Sequence, residues 1–379
     1  MTAVAVVFWV SLGLVVYTQI GYPLLLAVFA RVVPTRPGPA MPGWQPTVSL
    51  ISAAHDEEEV IGAKVRNALA LDWPRERLEV IVAGDGCTDD TVARAREAGA
   101  DVVLELDRVG KIPALDAGVA ASRGELIVFS DANVELERDA IAQLAGAFAD
   151  PAVGYACGQV VFRQAAAGPG ADNQEGLYWR YEMAVRTLES RLRSVTAGNG
   201  GLHAVRRSAY LVIDPRMDHD IYLPFHMVKR GLRAIYVPAA RGTEKMVPSI
   251  DGEFARKRRF MSHVWVTVLR GGMLYPRGYG VRYGLMILSH RLLRYSAWAL
   301  HLVALVANAL LLGRGVVYDV CFGLQLALYG AAALAGTIRL RPFLIARYYV
   351  AMNASIALGL WDYLRAPTPA HWEAAEGTR

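Results

Sequence analysis

The stretch Leu126-Ile127-Val128-Phe129-Ser130-Asp131-Ala132-Asn133 constrains the fold more than any other. A continuous apolar run such as Leu126 to Phe129 is the pattern of a central strand, covered on both faces, in a parallel sheet. The run stops at an acidic turn. Ligands of open α/β sheets lie just past the carboxyl ends of such strands, which presents Asp131 where a ligand would sit. The Asp131 carboxylate and the Asn133 amide oxygen, two residues apart, suit a hard divalent cation that could bridge to a phosphate. The same residues also suit a plain turn into the next helix.

The preceding chain repeats one unit. Strand patterns over 48–53, 78–83, 102–106 and 126–130 alternate with helix patterns over 57–70, 89–98 and 112–121. Such alternation predicts a parallel, doubly wound sheet. Polar residues gather where the strands end. Ala54-His55-Asp56-Glu57 follows the first, Asp85 to Asp90 the second, Arg108-Val109-Gly110-Lys111 precedes the third helix, and Asp131 to Asn133 follows the fourth. Each has a local explanation: Glu57 to Glu59 suit a helix N-terminus, Asp89 an N-cap, and Lys111 solvent. Together they converge on one rim of one sheet. No GxGxxG or P-loop spacing occurs, which argues against a dinucleotide oxidoreductase and a P-loop NTPase.

Beyond Val153 a helical pattern runs over 173–193, followed by Thr196-Ala197-Gly198-Asn199-Gly200-Gly201. These glycines allow close backbone approach to a ligand or make a tight turn. Met217-Asp218-His219-Asp220 opens a helix running to Arg230, with Gly231 as its C-cap.

Of the 379 residues, 54% are hydrophobic and 20% charged, and the apolar excess is concentrated at the two ends. Met1 to Ala30 carry no charge, and 4–30 is long enough to cross a ~30 Å hydrocarbon core. Arg31 and Arg36 follow, which predicts that the next domain is cytosolic. Further spans are expected at 297–312, 316–337 and, more weakly, 342–363. The expected partition is an N-terminal transmembrane helix (1–30), a linker (31–45), an α/β catalytic domain (46–250), interface helices (251–296), C-terminal transmembrane or interface helices (297–365) and a tail (366–379). The net charge of +5 gathers in 256–294, beside the apolar segments, where anionic lipid explains it. No zinc-finger spacing or RNA-binding signature points to nucleic acid. Cys87, Cys157 and Cys321 have no metal spacing and read as reduced thiols.

The order of motifs resembles membrane-bound family 2 glycosyltransferases, in the branch of the hyaluronan, chitin, cellulose and poly-N-acetylglucosamine synthases. The matching segments are Ala53 to Glu58, Asp85-Gly86-Cys87-Thr88-Asp89, Gly110-Lys111 to Gly118, Asp131-Ala132-Asn133, Gly198 to Gly201 and His219-Asp220, with a weaker echo over 372–379. The resemblance implies a GT-A, Rossmann-like domain with flanking transmembrane helices in the inner cell membrane. It implies inverting transfer of a sugar from a nucleotide diphosphate donor, UDP by expectation, to a hydroxyl of a glycan or lipid in cell-surface polysaccharide or glycolipid synthesis. Asp220 is implied as general base. Ala54, His55, Glu57, Asp85, Lys111, Ser130, Asp131, Arg256 and Arg259 are implied on the donor side. Gly198, Asn199 and Gly200 fall on the acceptor side, and Asp131 and Asn133 on Mg2+ or Mn2+. Membrane lipids and export or assembly partners follow from the same likeness. The processive members carry Gln-x-x-Arg-Trp where this chain has Arg256-Lys257-Arg258-Arg259-Phe260, which keeps single transfer to a polyprenyl phosphate open. An inactive nucleotide-binding scaffold is the reading from another class.

Overall fold

The computed structural model describes residues 2–33, 44–163, 172–245 and 250–370. Most of the expected linker and the C-terminal echo at 372–379 lie outside them. Eight strands form one sheet: β1 (Val48–Ala54), β2 (Leu78–Asp85), β3 (Val102–Leu106), β4 (Leu126–Ser130), β5 (Glu135–Leu136), β6 (Val153–Arg163), β7 (Leu202–Arg206) and β8 (Arg233–Lys245). Their order is β3-β2-β1-β4-β7-β6-β8-β5.

The first half is parallel, as the alternation predicts. The sheet as a whole is mixed, because β7 pairs antiparallel with both β4 and β6. The reason is local. The glycine loop at 198–201 delivers the chain to the carboxyl edge, where Leu202 pairs with Ser130, so β7 must run back down beside β4. That reversal sets the loop next to Asp131. Within the strands the period of two divides the core. Ile51, Ile81, Ile127 and Phe129 pack into one layer, and Leu50, Val80, Leu126 and Val128 into the other. All are nearly fully buried, as continuous apolar strands require.

Two helix starts differ from expectation. The first helix runs Ile61–Leu69 instead of beginning at Glu57, because the Glu57 carbonyl accepts from Val60 and Ile61 in a preceding turn. The second begins at Thr91, and the Asp89 carboxylate accepts from the Thr91 amide (3.0 Å).

Among the described residues, three helices are long and apolar enough to cross a membrane: Thr2–Val32, Val316–Leu334 and Arg341–Arg365. The span expected at 297–312 is corrected. Its helix, Ala297–Ala309, has 13 residues, too few to cross alone. It joins Gly280–Tyr295 at a 62° bend, and the pair forms at most one broken span. The last span is continuous despite Asp362, whose carboxylate takes a bidentate contact from Arg258 (2.6 and 2.7 Å). Arg258 lies on the helix Ile250–Arg270, which packs closely on Arg341–Arg365. A Cβ at Gly359 would lie 2.6 Å from that of Met261.

Candidate active site

The site lies along the carboxyl edge of the parallel half-sheet. Ala54 ends β1, fully buried, and the next residue, His55, places Nδ1 2.7 Å from the Asp85 carbonyl. Glu57 is also buried, and its amide donates to Thr91 Oγ1 (2.7 Å). Asp85 ends β2 and is wholly buried. Its oxygens accept from Val109 N (2.7 Å), Gly110 N (2.9 Å) and Arg108 Nη1 (2.9 Å). Asp85 therefore holds the 108–110 loop in place at the strand end. Gly110 has φ of +99°, which favours glycine, and it delivers Lys111 to the first turn of the helix Lys111–Ala121.

Lys111 Nζ reaches Asp131 Oδ1 at 2.6 Å, and both side chains are about one-third exposed (32%). Burial lowers the Lys111 amine, but the charge and hydrogen bond of Asp131, with the charges of Asp218 and Asp220, together outweigh it and raise the group above its ordinary value. Ser130 is buried. Its hydroxyl accepts from Lys64 Nζ (2.6 Å) and donates to the Gly201 carbonyl (3.2 Å). Lys64 also donates to Val134 O (2.7 Å), so one amine pins both ends of the Asp131 turn; burial lowers it to about 7. Asn133 Nδ2 donates to Glu244 Oε1 at 3.0 Å.

The glycine loop at 198–201 meets the helix His219–Lys229. The Gly198 amide donates to the Asp220 carbonyl at 2.6 Å, and a Cβ at Gly200 would lie 3.7 Å from Asp220 Oδ2. A Cβ at Gly198 would fall 1.8 Å from the Tyr155 hydroxyl, so only glycine fits there. Asn199 is buried and accepts from the Gly201 amide (3.2 Å). Asp218 is the N-cap residue, and Asp218 and Asp220 share a field with Lys111 and Asp131. His219, between them, packs into the core against Phe129 (centroids 5.1 Å apart), and burial drives it well below its ordinary range. Burial, then the Asp218 charge, raises the Asp220 carboxyl well above a usual aspartate, while Lys111 and Arg186 oppose the rise. Such a carboxylate is a stronger proton acceptor than an exposed one.

The structure thus brings Lys111, Ser130, Asp131, the 198–200 loop and Asp220 together, with Ala54, His55, Glu57 and Asp85 along the adjoining rim. Arg256 is held by Glu253 through two 2.8 Å contacts and is near enough to Glu244 to favour its ionised form. Among the described residues the Arg259 guanidinium has no side-chain partner, so its place at the donor rests on the resemblance. Sequence reading missed Lys64, Arg186 and Glu244. Lys64 and Arg186 sit in ordinary helix patterns, and nothing in the spacing marks Glu244. Asp131 and Asn133 offer carboxylate and amide oxygens, a fit for Mg2+ or Mn2+. A second cluster, Asp56, Cys87 and Asp89, has ligand atoms within 4.8 Å of one another. Its carboxylates already accept from the amides of Thr88 (2.7 Å), Glu58 (3.1 Å) and Thr91 (3.0 Å), so we assign it no ion.

Residues 49–212 match the family described as Glycosyl transferase family 2. It is similar to an N-acetylglucosaminyltransferase of Rhizobium leguminosarum bv. viciae, 27% identical over 231 residues, covering 56% of this chain and 54% of that protein. It is also similar to a beta-monoglucosyldiacylglycerol synthase of Trichormus variabilis, 25% identical over 264 residues, covering 63% of this chain and 53% of that protein. The chain spans about half the length of these curated relatives. Among solved structures, the mannosyltransferase PcManGT of Pyrobaculum calidifontis, in complex with GDP-Man and Mn2+, shares the fold. Its TM-score is 0.71 at 23% identity, covering 95% of this chain and 99% of that one.

Proposed function

We propose that the chain is an inverting glycosyltransferase that moves a sugar from a nucleotide diphosphate, by first expectation UDP, to a hydroxyl acceptor at the cytosolic face of a membrane. The observation that carries the proposal is Asp220. Its carboxyl is raised, lies beside the glycine loop, and feels the charges of Asp131 and Lys111. Asp220 takes the proton of the acceptor hydroxyl as that oxygen bonds to the anomeric carbon. The bond from that carbon to the diphosphate breaks, and the nucleoside diphosphate leaves. Asp131 and Asn133 would hold a divalent ion, which would supply positive charge to the leaving diphosphate, and Lys111 adds positive charge beside it. Three apolar helices, a basic helix packed on one of them, and a glycolipid synthase among the relatives support a multi-pass membrane protein with a glycan or lipid acceptor.

The test is nucleoside diphosphate release by the full chain in nanodiscs. UDP-glucose, UDP-N-acetylglucosamine and GDP-mannose are each supplied with and without Mn2+ and a membrane lipid extract. Release that needs both the metal and Asp220 is the expected result. No binding and no release with any donor would leave the scaffold reading in place. Polymer extension and single transfer to a lipid phosphate differ in product length on a gel.

A further inference from the structure

The cation site has one obvious deficit. Two carboxylates at positions 131 and 133 would bring two negative charges, but Asn133 is neutral. The fold brings another acid to it. The short strand β5 pairs antiparallel with the end of β8, Glu135 opposite Thr243 and Leu136 opposite Gly242. Continuing this ladder by one step sets Glu244 beside the turn that carries Asn133. The approach is close, since a Cβ at Gly242 would lie 2.7 Å from Val134 Cγ1. Asn133 Nδ2 then donates to Glu244 Oε1 at 3.0 Å. An amide is planar, so engaging its nitrogen turns its oxygen the other way. A cation needs that oxygen, and a free amide could equally present its nitrogen. The Asn133–Glu244 pair also lines a pocket of about 370 Å³ with Lys64 and Glu59, through which a small ion can reach it.

We propose that Glu244 is the acid the metal turn lacks: it fixes the Asn133 amide with its oxygen free for a divalent cation and supplies the site's second negative charge. The proposal rests on Asp131 as the cation site. Residues that orient metal ligands typically change affinity 10–100-fold when altered.

The test is Mn2+ binding to the full chain in detergent, measured from the free-ion electron paramagnetic resonance signal without any donor, with unfolding temperature as the folding control. Glu244→Gln should weaken Mn2+ binding by about 10-fold or more. Asn133→Asp should strengthen binding more in the Glu244→Gln background than in the wild type, because it restores the charge just removed. This double variant keeps the question answerable should Glu244→Gln alone fold poorly. Asp131→Ala separates the two levels of the argument. If Asp131→Ala loses Mn2+ while Glu244→Gln binds it as the wild type does, Glu244 is no part of the site and the proposal falls alone. If Asp131→Ala also leaves Mn2+ binding unchanged, the cation site itself is elsewhere and both fall. An equal gain from Asn133→Asp in both backgrounds would likewise overturn the role of Glu244.

Discussion

Two clusters of charge flank the loop at 196–201, and they are built differently. At its Gly198–Gly200 end, Asp131, Asp218 and Asp220 share one field with Lys111. At its Thr196 end, Glu182 and Glu189 meet Arg186, His290, Arg291 and Arg294, every one of them less than a tenth exposed. Glu189 accepts from Tyr22 (2.6 Å), the Thr196 amide and hydroxyl (both 3.0 Å) and His290 (2.7 Å). Glu182 accepts from Arg294 at 3.0 Å. Burial pushes both glutamates up, but His290 and the arginines outweigh it and hold both below the usual range. In the cleft the balance runs the other way, and Asp220 rises. The paired cluster joins the N-terminal apolar helix, the helix Asp172–Leu192 and the 287–294 segment, so its work is to hold elements together. The under-neutralised cluster keeps carboxylates basic at a cost in stability, which is the pattern of a reacting site. Arg186 connects them, since it lies 3.7 Å from Glu182 and still lowers Asp220.

One substitution, carboxylate to amide, therefore has opposite consequences at the two ends of the loop. The largest effect is expected at Asp220. Asp220→Asn should reduce turnover by at least ~100-fold, the low end of what a general base contributes, with donor binding nearly unchanged. Its unfolding temperature at pH 8 should equal or exceed that of the wild type, because one of two crowded like charges is gone. Calorimetric UDP titration, turnover and thermal unfolding on the same preparation check all three. Normal turnover would move the base elsewhere, with Asp218 the next candidate. The second effect is at Glu189. Glu189→Ala removes the acid from a buried cluster and leaves His290 and Arg291 without it, which should cost about 3–5 kcal/mol of stability. Thermal unfolding in detergent would show it, and an unfolding temperature equal to the wild type's would remove the contrast between the clusters.

The cleft was more legible in the sequence than the paired cluster, for a physical reason. Strand ends announce themselves locally. The run ending at Phe129 stops at Asp131, a glycine precedes Lys111, and the Gly198–Gly201 loop stands out from its surroundings. Proximity then follows from the rule that ligands gather at the carboxyl edge. Glu182, Glu189 and Arg186 follow helical spacing and look like a solvated helix face. Their partners His290, Arg291 and Arg294 lie about 100 residues away and look like a basic patch at a membrane. Only the tertiary fold buries one against the other. The same holds for Glu244, placed beside Asn133 by a two-residue ladder too short to read from pattern. The mixed sheet was missed because the direction of β7 depends on where its loop enters, and no side-chain period encodes that.

The smallest expected effect is the pH dependence of stability, and it separates the clusters by sign. Asp218 and Asp220 have folded-state values above the ordinary aspartate value of about 3.9. Between those values the native state binds more protons than the unfolded chain, so these residues make stability fall as pH rises through that window. Glu182 and Glu189 have folded-state values below the ordinary glutamate value of about 4.3. Their contribution is complete above that value and is lost as pH falls toward the depressed ones. Unfolding temperature followed from pH 2 to 8 should therefore decline toward both ends in the wild type, the acid limb lying below about pH 4. Asp220→Asn removes one raised carboxyl and relieves Asp218 of its neighbour's charge, so the decline toward pH 8 should flatten while the acid limb stays. Glu189→Gln should do the converse, lowering stability throughout and softening the acid limb. If both variants shift the curve uniformly and leave its shape alone, the opposed shifts at the two ends of the loop do not govern the pH response. The contrast would then be one of packing, not of charge.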